Sequence, residues 1–527
     1  MDTVTTQDAE QEATPTRPGL RERLGEAATV VLAISLLTIL AWGPFFGTPT
    51  MMTLSPVAGV AAGLGCRRKL DAALAALLGV LIGSTAALLL SRMPLGNVVA
   101  LLPSLAVVAG SAGLAAAVVG LAVAILARAT PRLTPLLVGF AVAVTIGAAW
   151  MVTTESVRVP SEDGTTLIQR LTNTPALDKE SGDDALYANY VKRLRSGQGY
   201  YDAVRDTLVE ANTTGRSPVN PKSAIGYRLP TLYLLMAALP AKGISYVLLM
   251  LFVGSIGAVA AFVLARTYVG VPLALVGTAA IANYVTNLAT GEYVFYTEPY
   301  AGALGLLAAA FFVRSSDRSG RRPRLMWAAA IAALAAALVR EMALGFLLVG
   351  LIATLLDDDA RAARDWIPWV VCTALAGIGY GVHLSAAGAA AQALTAPANV
   401  PPLPWLDVSG IGLPSIVERV ARLIGVRTAF AWILLAAGVI GSMLAPRTGS
   451  TRYYLGATTL LGMIALTFLH PPGFWIEGLV PSYWMDLLAP ILLACVPLAL
   501  IALPGAAAPP IPDEEPGVEP EPEPAAA

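Results

Sequence analysis

Several residues that could take part in chemistry lie together in one segment of an otherwise apolar chain. Asp183 and Asp184 are adjacent, Tyr187 follows one helical turn after the first of them, and Arg228 comes later in the same segment. A carboxylate can accept the proton of a hydroxyl group, and an arginine can hold a phosphate through two parallel hydrogen bonds. Both residue types also have structural uses, because acids stabilise helix N-termini and arginines anchor helices at membrane surfaces.

Three more residues are candidates for binding a polar ligand, namely Glu298, Arg340 and His470. Glu298 begins an apolar segment, where a carboxylate is unfavourable unless it is used or paired, and Arg340 could be its partner. Arg340 is followed directly by Glu341, so these two could instead form a local ion pair that stabilises a tight hairpin. His470 opens the run HPPGFW, and a lone histidine is more often structural than functional.

The composition indicates a membrane protein. Of 527 residues, 56% are hydrophobic and only 13% are charged, and the mean hydropathy is +0.68. A soluble domain has about 25% charged residues. The net charge of −1 gives no reason to expect a nucleic-acid partner. The three cysteines have spacings that match neither a metal site nor a disulfide framework.

Apolar segments long enough to cross a bilayer recur along most of the chain. About 20 residues are needed for one crossing. We predict 14 spans, at residues 28–46, 51–66, 71–91, 97–127, 134–152, 244–266, 272–288, 297–314, 325–339, 341–356, 366–384, 426–445, 453–469 and 485–503. Arginine and lysine follow the even-numbered spans, which predicts that these connections and both termini lie in the cytoplasm.

The long segment 154–243 is then a large outer loop. Its last part, 228–243, is too short to span and contains Pro230 and Pro240, so we predict an interfacial juxtamembrane helix there. If it crossed the membrane, the basic cluster at 314–324 would lie outside, contrary to the positive-inside rule. Within the loop, residues 183–195 have helical spacing with an apolar stripe and a basic side, which predicts an amphipathic helix lying on the membrane.

The order of these motifs resembles that of a known superfamily. The run DDALY at 183–187 opens a predicted helix, YRLP at 227–230 opens a second one, and Glu298 follows two spans later. Residues 134–356 therefore resemble the first part of the GT-C superfamily of membrane glycosyltransferases, which use polyprenyl-phosphate sugars. The four preceding spans are an addition to that pattern. The resemblance implies an all-α polytopic membrane protein with juxtamembrane helices in its first core outer loop.

The resemblance also implies roles for the candidate residues. Asp183 would be the catalytic base, with Asp184 as the close second choice, and Arg228 would neutralise the lipid phosphate. Glu298 would orient the acceptor or a metal ion. Tyr187 belongs to the shared motif and would join the substrate-binding set. Arg340 and His470 are added to this set from their positions in the sequence and not from the resemblance. The implied partners are a polyprenyl-phosphate-linked sugar of the mannose or arabinose class and an envelope glycan, glycolipid or protein acceptor. No cofactor is certain, and a divalent metal ion is the open alternative.

These expectations divide the chain into five parts. We predict a disordered cytoplasmic N-terminus at 1–26, four additional transmembrane helices at 27–133, a GT-C-like catalytic core at 134–384, an outer loop with C-terminal transmembrane helices at 385–503, and a disordered acidic, Pro-rich tail at 504–527. The site would face outward from the plasma membrane. Two other functions stay open, a lipid or small-molecule transporter or flippase and a non-catalytic scaffold for envelope assembly.

Overall fold

The protein is helical throughout the part of the chain that the structure describes. A computed structural model describes residues 20–42, 48–91, 93, 95–160, 164–172, 183–213, 221–222, 226–290, 293–316, 322–394, 412–468 and 482–507. These ranges contain α-helices, short 3₁₀ turns and connections, and no β-strand. The predicted all-α class is confirmed.

Seven helices are long and apolar enough to cross a membrane. They are Arg21–Leu40, Lys69–Leu90, Ser104–Ala129, Pro131–Ser156, Gly243–Arg266, Val271–Thr290 and Ile367–Gln392. Five shorter apolar helices accompany them, at Ser55–Gly65, Pro323–Val339, Glu341–Leu356, Thr428–Leu444 and Ala489–Leu500. The membrane character of the chain is confirmed, whereas the number of 14 crossings stays a prediction.

The first group of helices packs through small residues. It comprises α1 (Leu20–Trp42), α2 (Thr48–Gly65), α3 (Lys69–Leu90), α4 (Leu95–Ala129) and α5 (Thr134–Ser156). Helix α1 packs on α3, and α4 packs on both α2 and α3. A Cβ atom added to Gly59 would lie 2.6 Å from Cβ of Val119, and one added to Gly83 would lie 2.6 Å from Cβ of Thr38. Such close backbone approach is how helices associate in lipid, where tails are as apolar as leucine.

The long segment 154–243 contributes four short helices within its described residues. They are α6 (Leu167–Thr172), α7 (Asp183–Arg195), α8 (Tyr200–Thr213) and α9 (Thr231–Ala238). The helix predicted at 183–195 is confirmed at both ends, but it does not have the predicted two faces. Every residue from Ala185 to Val191 is buried, because α7 packs against α8, α9 and the 3₁₀ turn Tyr293–Phe295. In the segment 228–243, α9 is a separate short helix that ends before Pro240.

The remaining helices form the core and the C-terminal part. They are α10 (Gly243–Arg266), α11 (Val271–Thr290), α12 (Thr297–Ser316), α13 (Pro323–Val339), α14 (Leu344–Leu356), α15 (Asp358–Ala362), α16 (Ile367–Gln392), α17 (Gly412–Ile424), α18 (Thr428–Leu444), α19 (Gly449–Phe468) and α20 (Ala489–Cys495). Helix α11 is central, since 89% of its apolar window is buried. Its Asn283 side chain donates to Leu40 O on α1 at 2.5 Å and to Ile424 O on α17 at 3.1 Å, and it therefore joins the first group of helices to the core.

The C-terminal part differs from the prediction in two respects. The predicted span 485–503 consists of a 3₁₀ turn, the seven-residue α20 and a second 3₁₀ turn, because Pro490 and Pro497 interrupt the pattern of helical hydrogen bonds. Helix α17, within the segment assigned to an outer loop, was not predicted from the sequence. It packs on α11, α18 and α19 and is amphipathic, with Val417 and Val420 fully buried.

The chain is ordered further toward both ends than the predicted domain limits. Helix α1 begins at Leu20, inside the segment predicted to be disordered. The Arg67 side chain contacts this first part of α1, at 3.1 Å from Glu26 and 3.8 Å from Glu22. At the other end, Pro504 O accepts a hydrogen bond from Thr29 Oγ1 at 2.7 Å. The start of the predicted tail is therefore attached to α1.

Candidate functional site

The two acids of the predicted site form the first turn of α7. Asp183 and Asp184 begin this helix, where the partial positive charge of the N-terminus favours carboxylates. Burial raises the pKa of the Asp184 carboxyl group, hydrogen bonds from backbone N–H groups, including that of Ala185, oppose the rise, and the charge of Asp183 adds to it. Two carboxylates with different environments thus stand side by side at one helix end.

Tyr187 connects these acids to the predicted phosphate-binding arginine. It lies one turn after Asp183 on the same side of α7. Its hydroxyl oxygen accepts hydrogen bonds from Arg228 Nε at 3.2 Å and from Arg228 Nη2 at 3.1 Å. Burial raises the pKa of Tyr187 to about 12, while the charge of Arg228 opposes this rise and that of Asp183 adds to it. The phenol is therefore neutral and lies between charges of opposite sign.

The backbone that carries Arg228 is held from two sides. Tyr200 donates from its hydroxyl group to Arg228 O at 2.6 Å. His383 Nε2 lies 3.1 Å from Tyr227 O, and His383 Nδ1 lies 3.2 Å from the hydroxyl group of Tyr201. Because a carbonyl oxygen can only accept, Nε2 carries the proton and Nδ1 accepts from Tyr201. This support was not predicted, since His383 is 182 residues from Tyr201 and carries no motif.

A chain of alternating charges continues from Arg228 into the protein. Arg340 Nη1 lies 2.9 Å from Glu341 Oε1, and Arg340 Nε lies 2.9 Å from Glu298 Oε1. Glu341 Oε1 is also 3.5 Å from Arg228 Nη1. The two alternatives for Arg340, a pair with Glu298 or with Glu341, therefore both hold. We call Glu298, Arg340, Glu341 and Arg228 the Arg340 network.

Exposure increases along this network. The side chains of Glu298 and Arg340 are each 1% exposed, whereas those of Arg228 and Glu341 are 17% and 26% exposed. A ligand can reach the second pair directly, but it can reach the first pair only if the buried ion pair opens. The predicted ligand contact of Arg228 thus fits this geometry better than the contacts predicted for Glu298 and Arg340.

Tyrosine rings enclose the inner side of the site. The rings of Tyr190, Tyr233 and Tyr296 each lie 5.6–5.8 Å from that of Tyr187. The hydroxyl groups of Tyr190 and Tyr233 are buried and have no hydrogen-bond partner within the described ranges. Buried polar groups are normally paired, so these two hydroxyls are open to a partner that the described chain does not supply.

A second set of buried charges lies on the other side of Tyr296. Arg419 on α17 donates from Nε to Asp486 Oδ1 at 2.9 Å and from Nη2 to Asp486 Oδ2. Asp486 Oδ1 also accepts from the hydroxyl group of Tyr284, and the guanidinium of Arg419 lies 4.5 Å from the centre of the Tyr293 ring. We call Arg419, Asp486, Tyr284 and Tyr293 the Arg419 network. The Tyr296 ring is 5.6 Å from the Tyr293 ring and 5.6 Å from the Tyr187 ring, so aromatic contacts connect the two networks.

The structure thus groups most of the predicted site residues. Asp183, Asp184, Tyr187 and Arg228 meet at α7, and Glu298 and Arg340 belong to the adjoining network. His470 lies outside the described residues. Within the described ranges, no three His, Cys, Asp or Glu side chains are placed to hold a metal ion.

Comparison of the chain with protein-family models, with curated proteins and with solved structures finds no match.

Proposed function

We propose that this protein is a membrane glycosyltransferase of the GT-C kind. It transfers a sugar of the mannose or arabinose class from a polyprenyl-phosphate donor to an envelope glycan, glycolipid or protein. One observation carries the proposal. Helix α7 presents two acids at its N-terminus and, one turn later, a tyrosine hydroxyl that accepts two hydrogen bonds from Arg228. A general base and a phosphate-binding cation are the two groups that such a transfer needs.

The reaction follows from these two groups. The carboxylate of Asp183 removes the proton of the acceptor hydroxyl group while the hydroxyl oxygen attacks the anomeric carbon of the donor sugar. The bond between that carbon and the phosphate oxygen breaks, and the electron pair leaves with the polyprenyl phosphate. Attack from the face opposite the leaving group inverts the anomeric configuration. Asp184 is the alternative base, since its raised pKa makes its carboxylate more basic.

Arg228 is suited to stabilise the leaving phosphate. Its Nη1 atom lies 3.5 Å from Glu341 Oε1, which is a longer contact than the 2.9 Å between Arg340 Nη1 and the same oxygen. A phosphate can therefore replace Glu341 as the anionic partner of Arg228 while Arg340 keeps Glu341 paired. Tyr187, as a neutral acceptor, maintains the orientation of the guanidinium during the exchange.

We further propose the topology that gives this site its substrates. The chain crosses the plasma membrane 14 times, both termini are cytoplasmic, and the outer loop 154–243 faces outward. The distribution of arginine and lysine after the even-numbered spans supports this arrangement. In this orientation the N-terminus of α7, Arg228 and the start of α12 share the outer side.

The transport alternative predicts ionisable residues near the middle of the spans. Within the described ranges, the buried pair of Glu298 and Arg340 lies at helix ends instead. The other buried pair joins Asp486, at the start of the last predicted span, to Arg419 on α17, which lies outside the predicted spans. Glu298 is in the first turn of α12, and Arg340 directly follows α13. This placement supports a surface reaction over a path through the membrane. The scaffold alternative predicts that the acids of α7 tolerate substitution.

A transfer assay with purified protein tests the proposal. Full-length protein in liposomes is given a labelled polyprenyl-phosphate sugar, and Asp183→Asn and Asp184→Asn are compared with the unchanged chain. Loss of a general base lowers the rate about 10²- to 10⁴-fold. Asp202→Asn is the matched control, because Asp202 also lies in the first turn of a loop helix but is 55% exposed and paired with Arg205. Full transfer by both Asn variants of α7 contradicts the catalytic assignment.

The donor and acceptor are identified by a second measurement. The lipid and glycan profile of a deletion strain is compared with that of its parent, and the assay is then repeated with the structure that disappears. Loss of one defined glycan together with accumulation of its precursor supports the transferase. An unchanged glycan profile with altered lipid distribution between leaflets favours the flippase alternative.

A further inference from the structure

A cavity of about 260 Å³ lies at the opposite end of α7 from the two acids. Asp183 and Arg195 are the two ends of this helix, and at a rise of about 1.5 Å per residue they are about 18 Å apart. The cavity is lined by Leu171, Thr172, Ala188, Val191, Lys192, Arg195, Ala241, Tyr246 and Phe295. It is therefore formed by α6, the C-terminal part of α7, the start of α10 and the connections beside them, and Asp183, Tyr187 and Arg228 do not line it.

Arg195 directs a fixed positive charge at this cavity. Its Nη2 atom donates to Met236 O at 3.0 Å and to Leu239 O at 2.6 Å, and its guanidinium lies 5.4 Å from the centre of the Tyr246 ring. These contacts orient the side chain without neutralising it. The Nε atom of Arg195 is buried and has no hydrogen-bond partner among the described residues. Arg195 lines the cavity, so the positive charge of its guanidinium acts on an anion inside it.

Lys192 supplies a second cation at the rim. It is exposed and lines the cavity, whereas its neighbour Arg193 is paired with Glu210 at 2.8 Å. The cavity lining contains no aspartate or glutamate. The local field is therefore positive, and it favours an anion over a cation or a zwitterion.

The walls and the location of the cavity indicate what the anion is attached to. Leu171, Val191 and Phe295 are apolar, so only one side of the cavity is charged. The cavity lies at the first residue of a candidate membrane span, since Gly243 opens α10 and its N–H donates to Thr172 Oγ1 at 2.8 Å. Headgroups and the first methylene groups of lipids occupy this level of a membrane.

We infer that this cavity binds the headgroup of an anionic phospholipid. The phosphate lies between the side chains of Lys192 and Arg195, and the start of an acyl chain lies against the apolar wall. A water molecule occupies about 30 Å³ in the liquid, so 260 Å³ holds a phosphate and its glycerol while the rest of the lipid stays in the bilayer. This site is separate from the phosphate site proposed at Arg228 and does not depend on that proposal.

The thermal stability of the full-length protein in a neutral detergent tests the inference. Increasing amounts of phosphatidylglycerol, of phosphatidylcholine or of inorganic phosphate are added, and the unfolding temperature is recorded. A ligand that binds only the folded protein raises this temperature in a concentration-dependent way. We expect the rise with phosphatidylglycerol alone. An equal rise with phosphatidylcholine or with inorganic phosphate overturns the assignment to an anionic lipid.

Three variants locate the response. Lys192→Ala raises the half-saturating concentration of phosphatidylglycerol about tenfold, the effect of losing one charge-assisted contact. Ala241→Trp fills the rim while both cations stay in place, and it abolishes the response. Lys242→Ala is the matched control, because Lys242 is an exposed lysine beside the cavity that does not line it. Equal responses in the two lysine variants, or an unchanged response after Ala241→Trp, overturn the inference.

Discussion

The Arg340 network and the Arg419 network use the same residue types but differ in access. In the Arg419 network, Asp486 is fully buried, its Oδ1 atom accepts from Arg419 and Tyr284, and its Oδ2 atom accepts from Arg419. In the Arg340 network, burial decreases from Glu298 to the partly exposed Arg228 and Glu341. Only the Arg340 network therefore offers charges that a ligand can reach. This extension to the surface is the reason that the Arg340 network, and not the Arg419 network, is the candidate for ligand binding.

The two networks also differ in how well their hydrogen bonds are formed. Arg419 donates to both carboxylate oxygens of Asp486. Glu298 Oε1, Arg340 Nε and Arg340 Nη1 are close to ionic partners, but they make no hydrogen bond of good geometry within the described ranges. Since a buried ion pair is stable only when its remaining polar atoms are satisfied, the Arg340 network is the one that rearranges at lower free energy.

The largest expected effect concerns the Arg419 network. Arg419→Ala leaves Asp486 buried without its cation, and removal of one partner of a buried pair destabilises a protein by about 3–5 kcal/mol. The unfolding temperature in detergent and the yield of monodisperse protein measure this loss. The double variant Arg419→Met and Asp486→Leu should recover much of the stability. A decrease below about 1 kcal/mol in the free energy of unfolding of Arg419→Ala would show that the Arg419 network contributes little to stability.

The second prediction concerns the exposed end of the Arg340 network. Arg228→Gln lowers the rate of sugar transfer about 10²- to 10³-fold, as is typical when a group that stabilises developing charge is removed. Its effect on unfolding is smaller than that of Arg419→Ala, because Arg228 is partly exposed. Arg205→Gln is the control, since Arg205 pairs with Asp202 and Asp206 on α8. Equal losses of activity in Arg228→Gln and Arg205→Gln would show that the loss is not specific to the Arg340 network.

A smaller effect is expected from the hydroxyl group that orients Arg228. Tyr187→Phe keeps the ring packing and removes the acceptor of two guanidinium N–H groups, so transfer falls about tenfold, in line with a hydrogen bond to a charged group. Tyr454→Phe on α19 also removes a buried hydroxyl group without a partner in the described chain, but its ring packs on Phe312 and Trp369, so it should not lower the rate. Kinetics of both variants at varied donor concentration provide the measurement.

The smallest effect is a pH dependence at α7. Burial raises the pKa of Asp184 in the folded state above its ordinary value of 3.8. Folding therefore favours the protonated carboxyl, and this stabilisation is present below the unfolded pKa and is lost as pH rises through the folded pKa. Asp184→Asn mimics the neutral form, so it is slightly more stable than the unchanged chain at pH 7, and the difference shrinks toward pH 4. Unfolding temperatures at several pH values test this sign, and a difference that grows toward pH 4 contradicts it.

The sequence predicted local features of the site better than its long-range contacts. The helix at 183–195 is confirmed because its acidic start, apolar positions and basic end are all encoded within thirteen residues. Helix α17 was not predicted, since its apolar face is covered by protein from distant segments. The pairing of Arg419 with Asp486 was also missed, because 67 residues separate them and neither belongs to a motif.

The sequence by itself determined that this is an α-helical membrane protein with a long charged loop at 154–243, because hydropathy and charge periodicity act within single segments. Tertiary structure alone decided which charges meet. It placed Arg340 between Glu298 and Glu341, held Arg228 through Tyr187 and His383, and enclosed Asp486. These contacts depend on how the helices pack against one another, and a buried charge finds its partner only after that packing has excluded water from both groups.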